Sequence, residues 1–333
     1  MSVFVRQQHT VCDFSSSDSW VILSPIEQSI KRKIEAVGTP LKDWDIQINY
    51  GIKTGYNEAF IITTEKRDEI LSNCKSEEER LRTAELIRPI LRGRDIKRYG
   101  YDWANLYLIS TFPACHYDIE DYPAVKDYLL SFAEQNLRDS GNNWVADVYL
   151  GDYCKQKLAQ TGKFIEITGK RIYIGNTAEK ARKKTSNKWF ETQDSISYWE
   201  DFYKPKIIYP NMTKYMPFVY DDKEYVTNQK CFIITGNHVA FLTAFLNSSL
   251  FKYCFRDSFP ELQGGTREMS KIFFDKIPVI KVNDEIEFEF AFLVNDIQKE
   301  YTKEKAIHID ERLFDIYSLS QEERKTIGFI EIS

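Results

Sequence analysis

KPKIIYP (204–210), PFVYD (217–221), EYVTN (224–228) and KCFIIT (230–235) decide the fold class of this 333-residue chain. Each is a short run of β-branched and aromatic residues bounded by polar residues or proline, which is typical of β-strands. The four runs follow one another closely, so we predict a meander of short strands. Such a succession argues against a regular βαβ alternation.

Helical patterns lie on both sides of this strand region. SPIEQSIKRKIEAVG (24–38) has Ser24 as a potential N-cap, Pro25 in the first turn, Glu27 for a capping box and Gly38 at its end. Residue patterns also predict a strand in 45–55, a charged helix from Glu77 to Ile90 that Pro89 ends, a strand at 105–111 and a helix at 123–137. After a turn-rich stretch at 138–153, segments 163–168 and 171–175 are predicted to form a hairpin.

The C-terminal third is predicted to be helical. Asn237 can cap a helix whose Leu and Phe residues at 241–251 form a core stripe, and helices follow from Glu285 to Lys305 and from Asp310 to Leu319. Ser320 and Glu323 form a further capping box.

Strands that cluster in the middle, with helices that flank and finish the chain, predict an α+β fold. We expect a mixed, mostly antiparallel sheet region in 1–280 and a helical C-terminal segment in 281–333. The boundary is placed near 276–284, where Pro278 precedes the onset of acidic charge.

The net charge of −5 conceals a strong asymmetry along the chain. Segment 80–100 holds seven Lys or Arg against two acidic residues, and 155–188 holds ten against two, whereas 282–333 holds six against thirteen. A polyanion responds to local potential, so the two basic segments could form one DNA footprint if the fold brings them together. The alternative is that they are solvated helix and loop faces.

Several function classes are disfavoured by missing patterns. The six cysteines include no C-x-x-C pair, which argues against structural zinc and favours a reducing cytoplasm. The longest apolar stretch, 239–251, is too short for a membrane span, so we expect no membrane partner. Neither a G-x-G-x-x-G loop nor an Asn-Pro-Pro-aromatic motif is present, so we expect neither catalysis nor a bound cofactor or metal in this chain.

Five segments, in order over nearly the whole chain, resemble the TaqI-like C-terminal specificity domain of type II enzymes that combine DNA methylation with restriction. The first two carry the most specific signatures, Gly-Ile-x-Thr-Gly-x-Asn-x-Ala-Phe and Leu-x-Gly-Arg-Asp-Ile-x-Arg-Tyr. The segments are INYGIKTGYNEAFII (48–62), IRPILRGRDIKRYGYDW (87–103), KWFET…FYKPKIIYPN (188–211), TAFLNSSLFKYCF…QGGTREMSKIFFDKIPVI (243–280) and HIDERLFDIYSLSQEERKTIGF (308–329).

The resemblance implies an α+β recognition domain that clamps double-stranded DNA against N-terminal methyltransferase and nuclease domains of the same parent polypeptide. Those domains would bind S-adenosylmethionine and Mg²⁺ and would methylate adenine N6. The stretch 139–186 fits the family pattern least, and we interpret it as an insertion or as the variable reading element.

Candidate DNA contacts lie in turns and basic segments. Arg or Lys typically reads guanine, Asn or Gln reads adenine, and phosphate contacts supply affinity and register. Turn chemistry is the alternative role for residues 53–57, and an internal ion pair with Asp95 or another acid is the alternative for Arg94. The candidates are Lys53, Thr54, Tyr56, Asn57, Arg92, Arg94, Lys97, Arg98, Lys170, Arg171, Lys180, Arg182, Lys183, Lys184, Lys214 and Arg267.

Three other functions remain open on sequence alone. Asp221-Asp222-Lys223 has the letters of a nuclease metal motif, so a fragment with a Mg²⁺-dependent nuclease site is one alternative. The specificity part of a type I system is the second, although such subunits carry two recognition domains and no repeat is visible here. A phage-defence methyltransferase outside restriction would share the same segments.

Overall fold

The computed structural model describes residues 23–129, 144–147, 171–174, 186–188 and 190–330. Residues 123–129 are helical, in agreement with the predicted helix over that part of its range. The labelled helices are α1 (Pro25–Val37), α2 (Asn57–Phe60), α3 (Thr64–Ser72), α4 (Glu77–Leu86), α5 (Val239–Asn247), α6 (Ser249–Phe255), α7 (Lys271–Phe274), α8 (Asp284–Lys299), α9 (Lys303–Ile316) and α10 (Gln321–Ile327).

The strands are short, and most of them pair antiparallel. They are β1 (Gly38–Pro40), β2 (Ile46–Tyr50), β3 (Ile61–Thr63), β4 (Ile87–Leu91), β5 (Ile96–Lys97), β6 (Gly100–Tyr101), β7 (Leu106–Ile109), β8 (Trp144–Asp147), β9 (Arg171–Ile174), β10 (Lys206–Pro210), β11 (Met212–Thr213), β12 (Val219–Asp221), β13 (Val226–Thr227), β14 (Cys231–Gly236), β15 (Arg267–Glu268) and β16 (Pro278–Ile280).

Two four-stranded sheets organise the described residues. The central sheet has the order β12-β10-β14-β2 and is antiparallel throughout. The second sheet has the order β13-β4-β7-β3, with a parallel β13–β4 pair. The fold is therefore α+β, as predicted. The predicted meander is wrong in its pairing, because β13 leaves the central sheet to extend the second one.

The central sheet is covered on both faces, and successive residues of β10 show this directly. Ile207 and Tyr209 pack into a core shared with the C-terminal helices, whereas Ile208 packs into a second core shared with the other sheet. Side chains alternate between the two faces of a strand, so a strand covered on both sides is apolar at every position. This explains the continuous apolar run in 207–210.

One ion pair lies inside this sheet. Lys206 and Asp221 face each other on β10 and β12, and the Lys206 Nζ lies 2.7 Å from the Asp221 Oδ2. Both side chains are almost fully buried. Burial lowers the pKa of Lys206, and the Asp221 carboxylate opposes that shift. Asp221 also accepts hydrogen bonds from the backbone N–H groups of Lys223 and Tyr225.

Two helix boundaries differ from the prediction. The charged helix ends at Leu86, and Pro89 lies inside β4, because Ile87 and Ile90 are buried in the second sheet. The N-cap of α5 is His238, one residue later than predicted, and the Asn237 side chain donates to the Asp45 carboxylate.

A carboxylate from another helix replaces the missing cap of α5. Glu287 on α8 accepts hydrogen bonds from the backbone N–H groups of Ala240 and Phe241, both at 2.9 Å. Burial raises the pKa of Glu287, and these two hydrogen bonds oppose the shift.

The Leu and Phe stripe at 241–251 is buried, as predicted. The tail is helical, but its first break lies at 300–302, where Thr302 caps α9. The strand predicted at 171–175 is present as β9 and pairs with β8. Residues 144–147 are therefore extended rather than turn-rich, and the predicted partner 163–168 lies outside the described residues.

Glu323 links helix α10 to the first helix, α1, through hydrogen bonds. Its carboxylate accepts hydrogen bonds from Ser29 Oγ at 2.7 Å, from Lys33 Nζ at 2.7 Å and from the Ser320 N–H at 2.6 Å. Burial raises the pKa of Glu323, but the hydrogen bonds together lower it from 4.5 to about 2. The stabilisation that this shift represents is therefore fully present above pH 4.5 and is lost as the pH falls towards 2.

We expect Glu323→Gln to lower the free energy of unfolding by about 2 to 3 kcal/mol at pH 7, with a smaller difference at pH 3. Urea unfolding at both pH values measures this effect. Glu322→Gln is the control, because Glu322 is exposed on the same helix. An equal loss at pH 7 and pH 3 would exclude the ionised carboxylate as its cause.

Candidate nucleic-acid interface

Five strand ends meet at one edge of the two sheets. Strands β2, β4, β10 and β13 end there, and β14 begins there. Backbone hydrogen bonds tie the ends together: Gly51 N–H to the Cys231 carbonyl (2.9 Å), Ile52 N–H to the Thr227 carbonyl (2.7 Å) and Asn228 N–H to the Leu91 carbonyl (3.2 Å). Segment 51–56 with the start of α2, loop 92–95 and loop 228–230 therefore project from the same edge.

Gly51 makes this convergence possible. A Cβ at this position would lie 2.0 Å from the Asn228 carbonyl oxygen and 2.7 Å from Thr227 Oγ1. Only a residue without a side chain lets the two backbones approach so closely.

The residues after Gly51 are of two kinds: some are buried and hold the turn, and others are exposed to solvent. Thr54 is buried, and its Oγ1 donates to Asn57 Oδ1 at 2.7 Å and accepts from the Tyr56 N–H at 3.1 Å. Gly55 has a φ of +82° and turns the chain. Tyr56 is buried, whereas Lys53 and Asn57 are exposed. Thr54 thus has the turn role that the sequence left as an alternative.

In loop 92–95, the internal ion pair is formed by Arg92 and not by Arg94. Arg92 forms a bidentate pair with Asp95, with distances of 2.9 Å and 2.8 Å. The internal pair that the sequence offered as an alternative for Arg94 belongs instead to Arg92. Arg94 is exposed, and it makes no hydrogen bond or ion pair with another described residue.

An open groove of about 520 Å³ connects these loops. Its polar lining combines predicted residues with three that the sequence reasoning missed, Glu58, Asn228 and Lys230. The signal for the last two was available, since Asn-Gln-Lys at 228–230 is a polar turn between two apolar strands. The polar residues of the groove are Asn57, Glu58, Arg92, Arg94, Asn228 and Lys230.

Three predicted cations lie elsewhere and have partners within the protein. Lys97 forms an ion pair with Asp102. Arg98 donates to the Asn247 carbonyl and to the Tyr301 hydroxyl, each at 3.0 Å.

The third of these cations is Arg267. It is buried and donates to the Phe259 carbonyl, to Asp257 and to Glu261 at 2.9 to 3.0 Å. The loop at 264–267 thus directs its cation inwards, although the sequence suggested a groove contact.

Lys214 is exposed just after β11, and its ammonium lies 5.9 Å from the centre of the Tyr215 ring. Arg171 begins β9, and the structure describes its backbone alone. Five further predicted contacts lie outside the described residues: Lys170, Lys180, Arg182, Lys183 and Lys184.

The nuclease-like triplet 221–223 does not form a surface metal site. Asp221 is the buried partner of Lys206, and the Lys223 ammonium donates to the Tyr101 hydroxyl. Asp222 alone of the three carries an exposed carboxylate. Within the described ranges, no group of three or more His, Cys, Asp or Glu is placed to hold a metal ion, and no helix is long and apolar enough to cross a membrane.

Comparison with known families gives a direct match. Residues 161–279 match the family model described as the TaqI-like C-terminal specificity domain. Over these residues the chain is similar to that family. The match includes β10, β14 and the Asn228–Lys230 turn of the groove, and it agrees with the expected resemblance over these residues.

Two solved structures are similar to this chain. The type IIL restriction-modification enzyme MmeI, in complex with DNA, aligns at 11% identity and a TM-score of 0.48 over 87% of this chain and 35% of its own. The type IIG restriction endonuclease BpuSI aligns at 12% identity and a TM-score of 0.43 over 88% and 33%. The chain thus spans about one third of the length of each enzyme. No curated protein sequence matches it.

Proposed function

We propose that this chain recognises a specific sequence in double-stranded DNA as the target-recognition module of a restriction-modification enzyme. The family match supports this function, and the groove edge supplies a place for it. The observation that carries the proposal is the projection of three exposed cations, Lys53, Arg94 and Lys230, from neighbouring loops at that edge. Polar groups beside cations, on loops that a rigid scaffold holds, can serve both phosphate and base contacts.

The catalytic parts of the enzyme belong to other domains in this proposal. We propose that the parent polypeptide carries N-terminal domains that methylate adenine N6 with S-adenosylmethionine and cleave DNA with Mg²⁺. The description of the family as a C-terminal specificity domain supports this arrangement. An Asn-Pro-Pro-Tyr motif in the coding region upstream would support it further, and a different upstream gene would contradict it.

We expect Arg94→Glu with Lys230→Glu to weaken binding to duplex DNA on the order of 10- to 100-fold at 0.15 M salt. The slope of log affinity against log salt should fall by about two, because two phosphate-attracting charges are reversed. Fluorescence anisotropy with a mixed-sequence duplex at four salt concentrations measures both quantities.

Arg32→Glu with Lys325→Glu is the matched control. It makes the same charge change at exposed positions of α1 and α10. We expect it to change affinity by less than about threefold, as for charges remote from the phosphates. Equal losses in the two double variants would show that net charge, and not this edge, governs binding.

A further inference from the structure

The amide of Asn57 has a fixed orientation in the groove. Its Oδ1 accepts a hydrogen bond from the buried hydroxyl of Thr54 at 2.7 Å, and that hydroxyl is itself held by the Tyr56 N–H. The oxygen of the amide is therefore engaged with the protein, and its Nδ2 group is the part available to a ligand. An amide held in this way acts as a hydrogen-bond donor.

The amide of Asn228 is oriented in the same sense. Its Oδ1 accepts from the backbone N–H of Lys230 at 3.1 Å and lies 4.0 Å from the Cys231 sulfur. A backbone N–H can only donate, so the oxygen must face the turn and the Nδ2 group must face away from it.

Two cations of the groove add further hydrogen-bond donors. Arg94 and Lys230 line it, and neither a guanidinium nor an ammonium can accept a hydrogen bond. Adenine recognition by Asn requires a free amide oxygen to accept from adenine N6 together with a donor to N7. Each amide oxygen here already accepts a hydrogen bond within its own turn and faces that turn, which disfavours the usual pairing of Asn with adenine.

Guanine is the base that presents two adjacent acceptors, N7 and O6, in the major groove. A donor-rich site fits that edge. The donors of the groove therefore complement the two acceptors of guanine.

We infer that this groove reads a guanine of the DNA target, with Arg94 and the oriented Asn57 amide as the specificity-determining donors. The inference rests on the proposed function, and it assigns a base class to one subsite of that function. It also reverses the simpler expectation that asparagines in such a domain read adenine.

The test first selects preferred duplexes from a randomised library with the wild-type chain, and then replaces each guanine singly by 7-deazaguanine, which lacks the N7 acceptor. We expect one position at which this replacement weakens binding about 5- to 50-fold, the range of a lost base contact. Arg94→Ala should bind more weakly overall and be insensitive to the replacement there. Arg32→Ala, which changes an exposed cation of α1 that is not part of the groove lining, should keep the full sensitivity.

Thr54→Val provides an independent variant, because it removes the donor that occupies Asn57 Oδ1 without changing the side-chain shape. We expect its selected duplexes to accept adenine as well as guanine at the Arg94-dependent position. Circular dichroism and the affinity for the wild-type duplex establish that the variant is folded.

The outcomes separate the two levels of the proposal. Salt-dependent binding to duplex DNA, with no position at which 7-deazaguanine sensitivity depends on Arg94, overturns the guanine assignment and leaves the proposed function intact. An Arg94-dependent position that prefers adenine overturns it equally. Failure to bind any duplex at low salt overturns both.

Discussion

Gly51→Ala is expected to lower the free energy of unfolding by about 3 kcal/mol and to abolish sequence-selective DNA binding. The added Cβ would lie 2.0 Å from the carbonyl oxygen of Asn228 and 2.6 Å from its carbonyl carbon. Both are backbone atoms, so the clash cannot be relieved by a side-chain rotation. The loops that carry Asn57 and Lys230 must move apart, and the groove loses its geometry. Urea unfolding and anisotropy with the selected duplex measure the two effects.

Gly100→Ala is the matched control for this prediction. A Cβ at Gly100 would meet no atom within 4 Å, so the same substitution adds no clash. We expect a change in stability of less than about 0.5 kcal/mol, the usual range for surface substitutions. A Gly51→Ala variant as stable as Gly100→Ala would contradict the close approach of loops 51–52 and 227–228.

Lys206→Met is expected to destabilise the protein by about 3 to 5 kcal/mol, because it leaves the Asp221 carboxylate buried without a counter-charge. Adding Asp221→Asn should recover at least half of that loss. The neutral amide removes the stranded charge, and its oxygen can still accept from the N–H groups of Lys223 or Tyr225. Urea unfolding of the wild type, both single variants and the double variant gives the coupling energy.

Lys204→Met is the control that distinguishes the loss of a buried ion pair from the loss of an exposed one. Lys204 pairs with Asp201 at 2.8 Å, but 57% of its side chain is exposed. Exposed pairs contribute at most about 1 kcal/mol, so we expect a correspondingly small loss. A similar loss in the Lys204 and Lys206 variants would refute the special cost of the buried pair.

Local signals in the sequence predicted much of the helical structure. The first helix agrees with its prediction from Ser24 to Gly38, and the Ser320–Glu323 capping box forms as expected. Both depend on residues within three or four positions of one another, so their physics is contained in a short stretch of chain. The buried stripe at 241–251 follows in the same way from apolar composition.

Strand pairing was not accessible by the same reasoning. The partner of a strand depends on contacts between distant segments, and β13 joins β4 although its nearest neighbours in sequence lie in the central sheet. The end of the charged helix shows the same limit, since the helix stops at Leu86 and Pro89 lies in β4, where Ile87 and Ile90 pack in the second sheet.

The residues of the candidate site were likewise predicted only in part. Turn chemistry identified Asn57, and charge identified Arg94, but neither could show which arginine in 92–98 would find an internal partner. Arg92 and Arg98 find one, and Arg94 finds none among the described residues. Asn228 and Lys230 were missed because a turn joins the groove only when its flanking strands are placed in space.

The pairing of β2 with β14 bears on how the chain reaches its native state. Ile48 is in register with Ile234, so β2 can pair only after β14, about 185 residues later in the chain, has been synthesised. Closing so long a loop is entropically unfavourable, and native contacts of this range slow folding. An N-terminal fragment that stops before residue 231 would leave β2 without its partner and expose its apolar face to aggregation.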